Sequence, residues 1–337
     1  MRALYTALFL TAAVVACKKT DNKESGKESG KPDPASGTSG TSGTSGTKQL
    51  TVGFAQVGAE SAWRTAETGS IRAEAEKRKV NLKFSDAQGK QENQITAVRG
   101  FIAQGVDAII LAPVVETGWE PVLLEAKQAK IPVVLVDRGI KTSDETLYAT
   151  LIASDFVAEG KMAAEWMAKK LNGKAAVVEL QGTPGSAPAI DRKKGFEEGI
   201  KANPNMKIIA SQSGDFRRSN GKEVMEALLK KHGKEITAVY AHNDDMALGA
   251  IQAIEESGAK PGTDVIVVSV DGVKDAFTAM VEGKLSASVE CNPLLGPMAF
   301  DAVEKAVAGQ TLPKRQVVED KLFDTTNAKD VIATRQY

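Results

Sequence analysis

The sequence predicts two α/β domains, each a doubly wound parallel sheet, with a ligand cleft between them. Three observations carry this reading. From residue 48 onward, short runs of β-branched and aliphatic residues alternate with amphipathic stretches, the pattern of parallel strands joined by crossover helices. The alternation completes itself at Val136 and starts again at Phe156, which makes two units. And 337 residues are more than one hydrophobic core comfortably serves.

In the first unit, strands are expected at 50–54, 80–84, 107–113 and 133–136, and helices at 62–79, 91–104 and 118–130. In the second, helices at 156–171, 189–201, 220–232 and 246–257 alternate with strands at 175–180, 206–210, 236–241 and 264–270. The remainder, strand-like at 285–289 and helical at 297–309, is too short for a third domain and must dock on the first two.

Polar residues gather where these strands end. In open parallel sheets ligands collect beyond the carboxyl ends of the strands. The run Val133 to Val136 stops at Asp137 and Arg138, an acceptor and a forked donor that can hold a compact polyhydroxylated molecule. The loop 56–64 with Trp63 follows the first strand, while His242-Asn243-Asp244-Asp245 and Asp271-Gly272 follow two strands of the second unit. Each has a competing reading. Asp137 could start a turn, and Asn243 or Asp244 could cap the helix that follows.

Residues 1–16 combine Met1-Arg2 with an apolar run too short to span a membrane, as in a secretory signal. Val14-Val15-Ala16-Cys17 resembles a lipoprotein cleavage site, which predicts acylation of Cys17 and leaves Cys291 without a disulfide partner. Residues 17–47, with a Gly-Thr-Ser repeat at 37–46, bury nothing and read as a lipid-anchored tether. About 30 flexible residues span roughly 30 Å. Lys plus Arg equal Asp plus Glu at 43 each, so no net field attracts nucleic acid. The dinucleotide, P-loop, nucleophile-elbow and zinc-protease motifs are missing. His232 reads as a helix end and His242 as a packed or hydrogen-bonded side chain. The expectation is a binding protein with no catalytic residues, no cofactor and no metal.

The strings Val52-Gly-Phe-Ala-Gln-Val-Gly, Ser61-Ala-Trp-Arg-Thr-Ala-Glu, Ala189-Ile-Asp-Arg-Lys-Lys-Gly-Phe and Tyr240-Ala-His-Asn-Asp-Asp-Met resemble the sugar-binding periplasmic proteins of ABC importers, the ribose- and galactose-binding group, and look very close to its galactofuranose-binding branch. The likeness runs over 48–337 and extends to the ligand domains of LacI-type repressors. It implies the type I periplasmic binding protein fold. It implies lobes made of 48–151 plus 293–319 and of 152–292 plus 320–337, with hinge crossings near Ile152, Asn292 and Asp320. Carried over residue by residue, it places Trp63, Arg64, Asp137 and Arg138 on the sugar from the first lobe, with Ser61 and Glu60 in the adjoining loop. From the second lobe it places Arg192, Phe216, Asn243, Asp271 and Glu290. The partners it implies are a monosaccharide, galactofuranose or a related aldose, and an ABC permease with its ATPase; a chemotaxis or sensor-kinase partner is the alternative. The chain is then an exported, membrane-anchored monomer facing the periplasm or cell exterior.

Overall fold

The structure is a computed structural model and describes residues 49–337; the expected signal segment, Cys17 and the tether lie outside the described residues. In chain order the elements begin with β1 (Thr51–Gln56), α1 (Ala62–Lys77), β2 (Asn81–Asp86), α2 (Gln91–Ala103), β3 (Ala108–Leu111), α3 (Glu120–Gln128), β4 (Val133–Val136) and β5 (Thr150–Ser154). The second unit runs α4 (Phe156–Lys170), β6 (Lys174–Gln181), α5 (Ala187–Ile200), β7 (Asn205–Ser213), α6 (Arg218–His232), β8 (Ala238–Ala241), α7 (Asp244–Glu256), β9 (Ile266–Asp271), α8 (Lys274–Val281) and β10 (Ala287–Glu290). Then come α9 (Gly296–Val307), β11 (Arg315–Val318), β12 (Leu322–Asp324) and the single turn α10 (Ala328–Val331).

These strands form two six-stranded sheets, ordered β11-β5-β4-β3-β1-β2 and β12-β10-β9-β8-β6-β7. All neighbours are parallel except β12, which runs antiparallel to β10. Every residue of β3, β4, β8 and β9 is buried, as a sheet covered by helices on both faces requires. The order reverses around β1 in one sheet and around β6 in the other, so each lobe has a switch-point crevice at its carboxyl edge.

Five elements lie outside the sequence reading: β5, α8, β11, β12 and α10. The chain passes from the first sheet to the second after β5, returns after β10, and crosses again between β11 and β12. Helix α9 packs its Leu295, Ala299, Phe300 and Val303 into the core that holds Val52, Phe54 and Ile71 of the first lobe. Among the described residues no helix is long and apolar enough to cross a membrane.

Glycines set one contact that the site depends on. A Cβ on Gly160 of α4 would lie 2.3 Å from the carbonyl oxygen of Arg192 on α5, and one on Gly195 would lie 2.1 Å from that of Val157. The two helices therefore touch backbone to backbone, which brings Glu159 against Arg192. Gly160→Ala forces them apart and is expected to cost about 1–3 kcal/mol, lowering the melting temperature by roughly 2–4 °C per kcal/mol. An unchanged thermal melt would show that the pair separates freely.

Candidate functional site

Between the two carboxyl edges lies a small cavity. The first lobe lines it with Glu60, Ser61, Trp63, Arg64, Asp137 and Arg138, the second with Pro188, Arg192, Phe216, Asn243 and Asp271, and the crossing after β10 with Cys291. Three lining residues hold backbone conformations that L side chains rarely adopt: Asp137 at φ 59°, Phe216 at φ 61° and Asp271 at φ 130°. Such conformations persist only where surrounding structure imposes them. Asp137 is held by its N–H, which donates to the Ile152 carbonyl at 2.8 Å. Phe216 lies so close to Gly182 that a Cβ there would fall 1.9 Å from its ring.

Helix caps build two walls. Ser61 Oγ accepts from Arg64 N at 3.1 Å at the start of α1. Asn243 caps α7 through Oδ1, which accepts from Met246 N, and donates through Nδ2 to the Phe216 carbonyl at 3.1 Å. It is thus both the cap and a cavity residue. Asp244 faces inward, accepting from Ser269 and Ser288 hydroxyls and Val273 N, and burial pushes its pKa up to about 6. His242 is a buried hydrogen-bonding residue, with Nε2 at 3.1 Å from Glu179.

Three buried guanidiniums dominate the charge. Arg64 reaches Asp137 at 2.6 Å, Glu67 at 2.5 Å and Glu60 at 3.1 Å. Arg138 contacts Glu60 at 3.1 Å, donates to the Val114 carbonyl at 3.2 Å and stands over the Phe216 ring at 5.3 Å. Arg192 pairs with Glu159 at 2.6 Å, donates to the His242 carbonyl at 2.6 Å and comes within 3.8 Å of Asp271. Three cations thus meet five carboxylates, Glu60, Glu67, Asp137, Glu159 and Asp271. That excess of negative charge, together with burial, decides who keeps a proton. Burial pushes Asp271 well above the ordinary carboxylate range and raises Glu159 and Glu67, in each case against a nearby arginine. Burial also acts on Glu60, but Arg64 and Arg138 outweigh it and hold that carboxyl low. Arg138, buried and beside Arg64, falls to about 10.

Trp63 is 4% exposed. Its Nε1 donates to the Cys291 carbonyl at 2.5 Å. It lines the cavity and also packs with the hydrophobic cluster of the second lobe, so it ties the lobes together as well as forming a wall.

The matching family model, the periplasmic binding protein domain, covers residues 52–311. The chain belongs to the periplasmic binding protein family. The chain is 56% identical over 291 residues to the galactofuranose-binding protein YtfQ of Escherichia coli K12, covering 85% of this chain and 92% of that protein. Two solved structures share the fold at TM-score 0.83 and 54% identity. One is the binding component of the arabinose ABC transporter of Shewanella sp. ANA-3, bound to α- and β-L-arabinofuranose, covering 85% of this chain and 96% of that one. The other is a Mycobacterium smegmatis protein in complex with β-D-fucofuranose, covering 86% and 95%. The resemblance read from the sequence strings is met, as is the type I periplasmic binding protein fold, and the family's members are solute-binding proteins and not enzymes.

In this periplasmic binding protein, ten of the residues singled out from sequence line the cavity: Glu60, Ser61, Trp63, Arg64, Asp137, Arg138, Arg192, Phe216, Asn243 and Asp271. Glu290 is not among the lining residues; Arg335 holds its Oε1 at 2.6 Å and the Tyr337 hydroxyl donates to the same oxygen at 3.2 Å. Two carboxylates escaped the sequence reading. Glu67 sits three residues after Arg64 on α1, a spacing that pairs side chains on a helix and could have found it. Glu159 reaches Arg192 only because α4 packs on α5, and no local signal marks it.

The third crossing between the sheets adds a titratable acid. Asp320 Oδ1 accepts from Ser154 Oγ at 3.1 Å, joining the third crossing to the first. Burial and the neighbouring Glu159 push Asp320 up to about 8. A carboxyl whose folded pKa is raised stabilises the fold fully below its unfolded pKa of about 3.9 and loses that contribution as pH rises through the folded pKa. Asp244, Asp271 and Glu159 act with the same sign. The sugar-free protein is therefore expected to melt at a lower temperature at pH 8 than at pH 5, and Asp320→Asn to flatten that slope. A melting temperature that rises over this interval would contradict the assignment.

Proposed function

We propose that this chain is the substrate-binding lipoprotein of an ABC sugar importer, which closes around a monosaccharide, galactofuranose or a related aldose such as arabinofuranose or fucofuranose, and delivers it to the permease. The observation that carries this reading is the interlobe cavity. Its charged walls offer fixed donors from Arg64, Arg138 and Arg192 and acceptors from Asp137 and Asp271, while Trp63 and Phe216 provide aromatic faces for the apolar side of a sugar. Relatives that carry furanose ligands at 54% identity support the ring form.

Closure follows from the same groups. Both lobes contribute to the polar lining, so a sugar that touches both favours the closed arrangement over the open one by the contacts it makes only there. A closed shape is a natural signal to a permease, whose ATPase supplies the energy. The lipid on Cys17 and the tether would hold a monomer near the membrane.

Titration calorimetry with L-arabinose, D-galactose and D-fucose, each supplied as its equilibrium mixture of ring forms, tests the reading. Saturable binding is expected, with D-ribose weaker. Asp271→Ala removes a buried hydrogen-bonding carboxyl and leaves its partners unpaired, about 1–3 kcal/mol, and should weaken binding by roughly 5- to 150-fold. Wild-type affinity in that variant, or no heat with any of the sugars, would contradict the proposal.

A further inference from the structure

Arg335 is held more elaborately than a residue far from the cavity needs. Its Nη1 pairs with Glu290 at 2.6 Å and its Nη2 donates to the Gly272 carbonyl at 2.5 Å. The guanidinium stands over the rings of Phe277, Phe323 and Tyr337, at 4.8, 5.5 and 4.4 Å from their centroids. The Tyr337 hydroxyl contacts both Arg335 and Glu290, and the Tyr337 carbonyl accepts from Lys274 N, the first residue of α8, at 2.7 Å.

What this assembly grips is the turn that carries Asp271. Asp271 sits at φ 130° and Gly272 at φ 76°. Within the second sheet the turn is tied by Cys291 N donating to the Asp271 carbonyl at 3.1 Å, and by Gly272 N donating to Ser288 Oγ at 3.1 Å. Glu290 lies opposite Asp271 in the β9–β10 register. Arg335 bridges the two strands from outside, joining the Gly272 carbonyl to the Glu290 carboxylate. A planar guanidinium can satisfy two acceptors while its faces meet aromatic rings, and an ammonium cannot do both.

We propose that Arg335 is a positioning residue for the cavity: by clamping Gly272 to Glu290 it keeps Asp271 in its strained backbone conformation, and it raises sugar affinity without touching the sugar. The clamp rests on the sugar-binding reading for its effect on affinity, but its effect on the turn does not. It also accounts for Glu290, which faces the clamp and not the cavity.

The test compares the full-length wild type with Arg335→Met, Arg335→Lys and the milder Glu290→Gln, by hydrogen exchange of the free protein and by calorimetry with L-arabinose. In Arg335→Met the amides of 272 and 273 should exchange at least roughly tenfold faster while those of α4 and α5 keep their rates. L-Arabinose affinity should fall by about tenfold or more, with partial recovery in Arg335→Lys. Adding Arg335→Met to Asp271→Asn should cost little further affinity, because the effect runs through Asp271. Unchanged exchange at 272 and 273 would overturn the clamp, and so would an equal loss of affinity in the Asp271→Asn background. Should Arg335→Met not fold, Glu290→Gln decides by the same two readouts. A wild type that takes up none of L-arabinose, D-galactose and D-fucose overturns the sugar reading, and the exchange rates still decide the clamp.

Discussion

Three guanidiniums cannot be buried at the seam of two lobes unless carboxylates surround them, because an uncompensated buried charge costs several kcal/mol. That constraint organises the centre of this protein. Arg64 is met by acids from its own helix and from the end of β4, and Arg192 by an acid on the neighbouring helix α4. Each arginine is thereby fixed from behind, which leaves its orientation toward the cavity settled before any ligand arrives. Preorganisation of this kind reduces the ordering that binding must otherwise bring about. The excess of acids over bases then falls on Asp271, Glu159 and Glu67, whose carboxyls burial raises above their ordinary range.

The lobes meet through few direct bonds. Ala62 N at the start of α1 donates to Asp245 of the second lobe at 2.7 Å, and Glu116 N donates to the Gly185 carbonyl at 2.9 Å. Arg138 over Phe216 and Trp63 against the Cys291 carbonyl complete the seam. Backbone strain is concentrated beside it, at Asp137, Phe216 and Asp271. Where the chain crosses between the sheets, Ser154 donates to Asp320 and Cys291 to Ser154.

Much of this was legible in the sequence for physical reasons. Strands buried on both faces, such as β4, must be written as unbroken apolar runs, so their ends, and the residues Asp137 and Arg138 beyond them, could be placed. Edge strands carry no such mark. In β11 the residues alternate between exposed and half-buried, and β12 has three residues, so neither reads as a strand without its neighbour. Spacing on a helix could have shown Glu67 beside Arg64, whereas Glu159 and Arg192 lie 33 residues apart and meet only by packing. The pairing of Glu290 was hidden in the same way: its partner Arg335 is 45 residues away, and nothing near position 290 announces it.

The most direct test of this account is a distance across the seam. Spin labels on cysteines introduced at Gln88 and Ser219, both exposed and on opposite lobes, report the opening of the cleft in pulsed electron resonance. Without sugar the account predicts a broad distribution with long distances, and with saturating L-arabinose a single narrow peak at the short end. The same distribution with and without a sugar that calorimetry shows to be bound would contradict it.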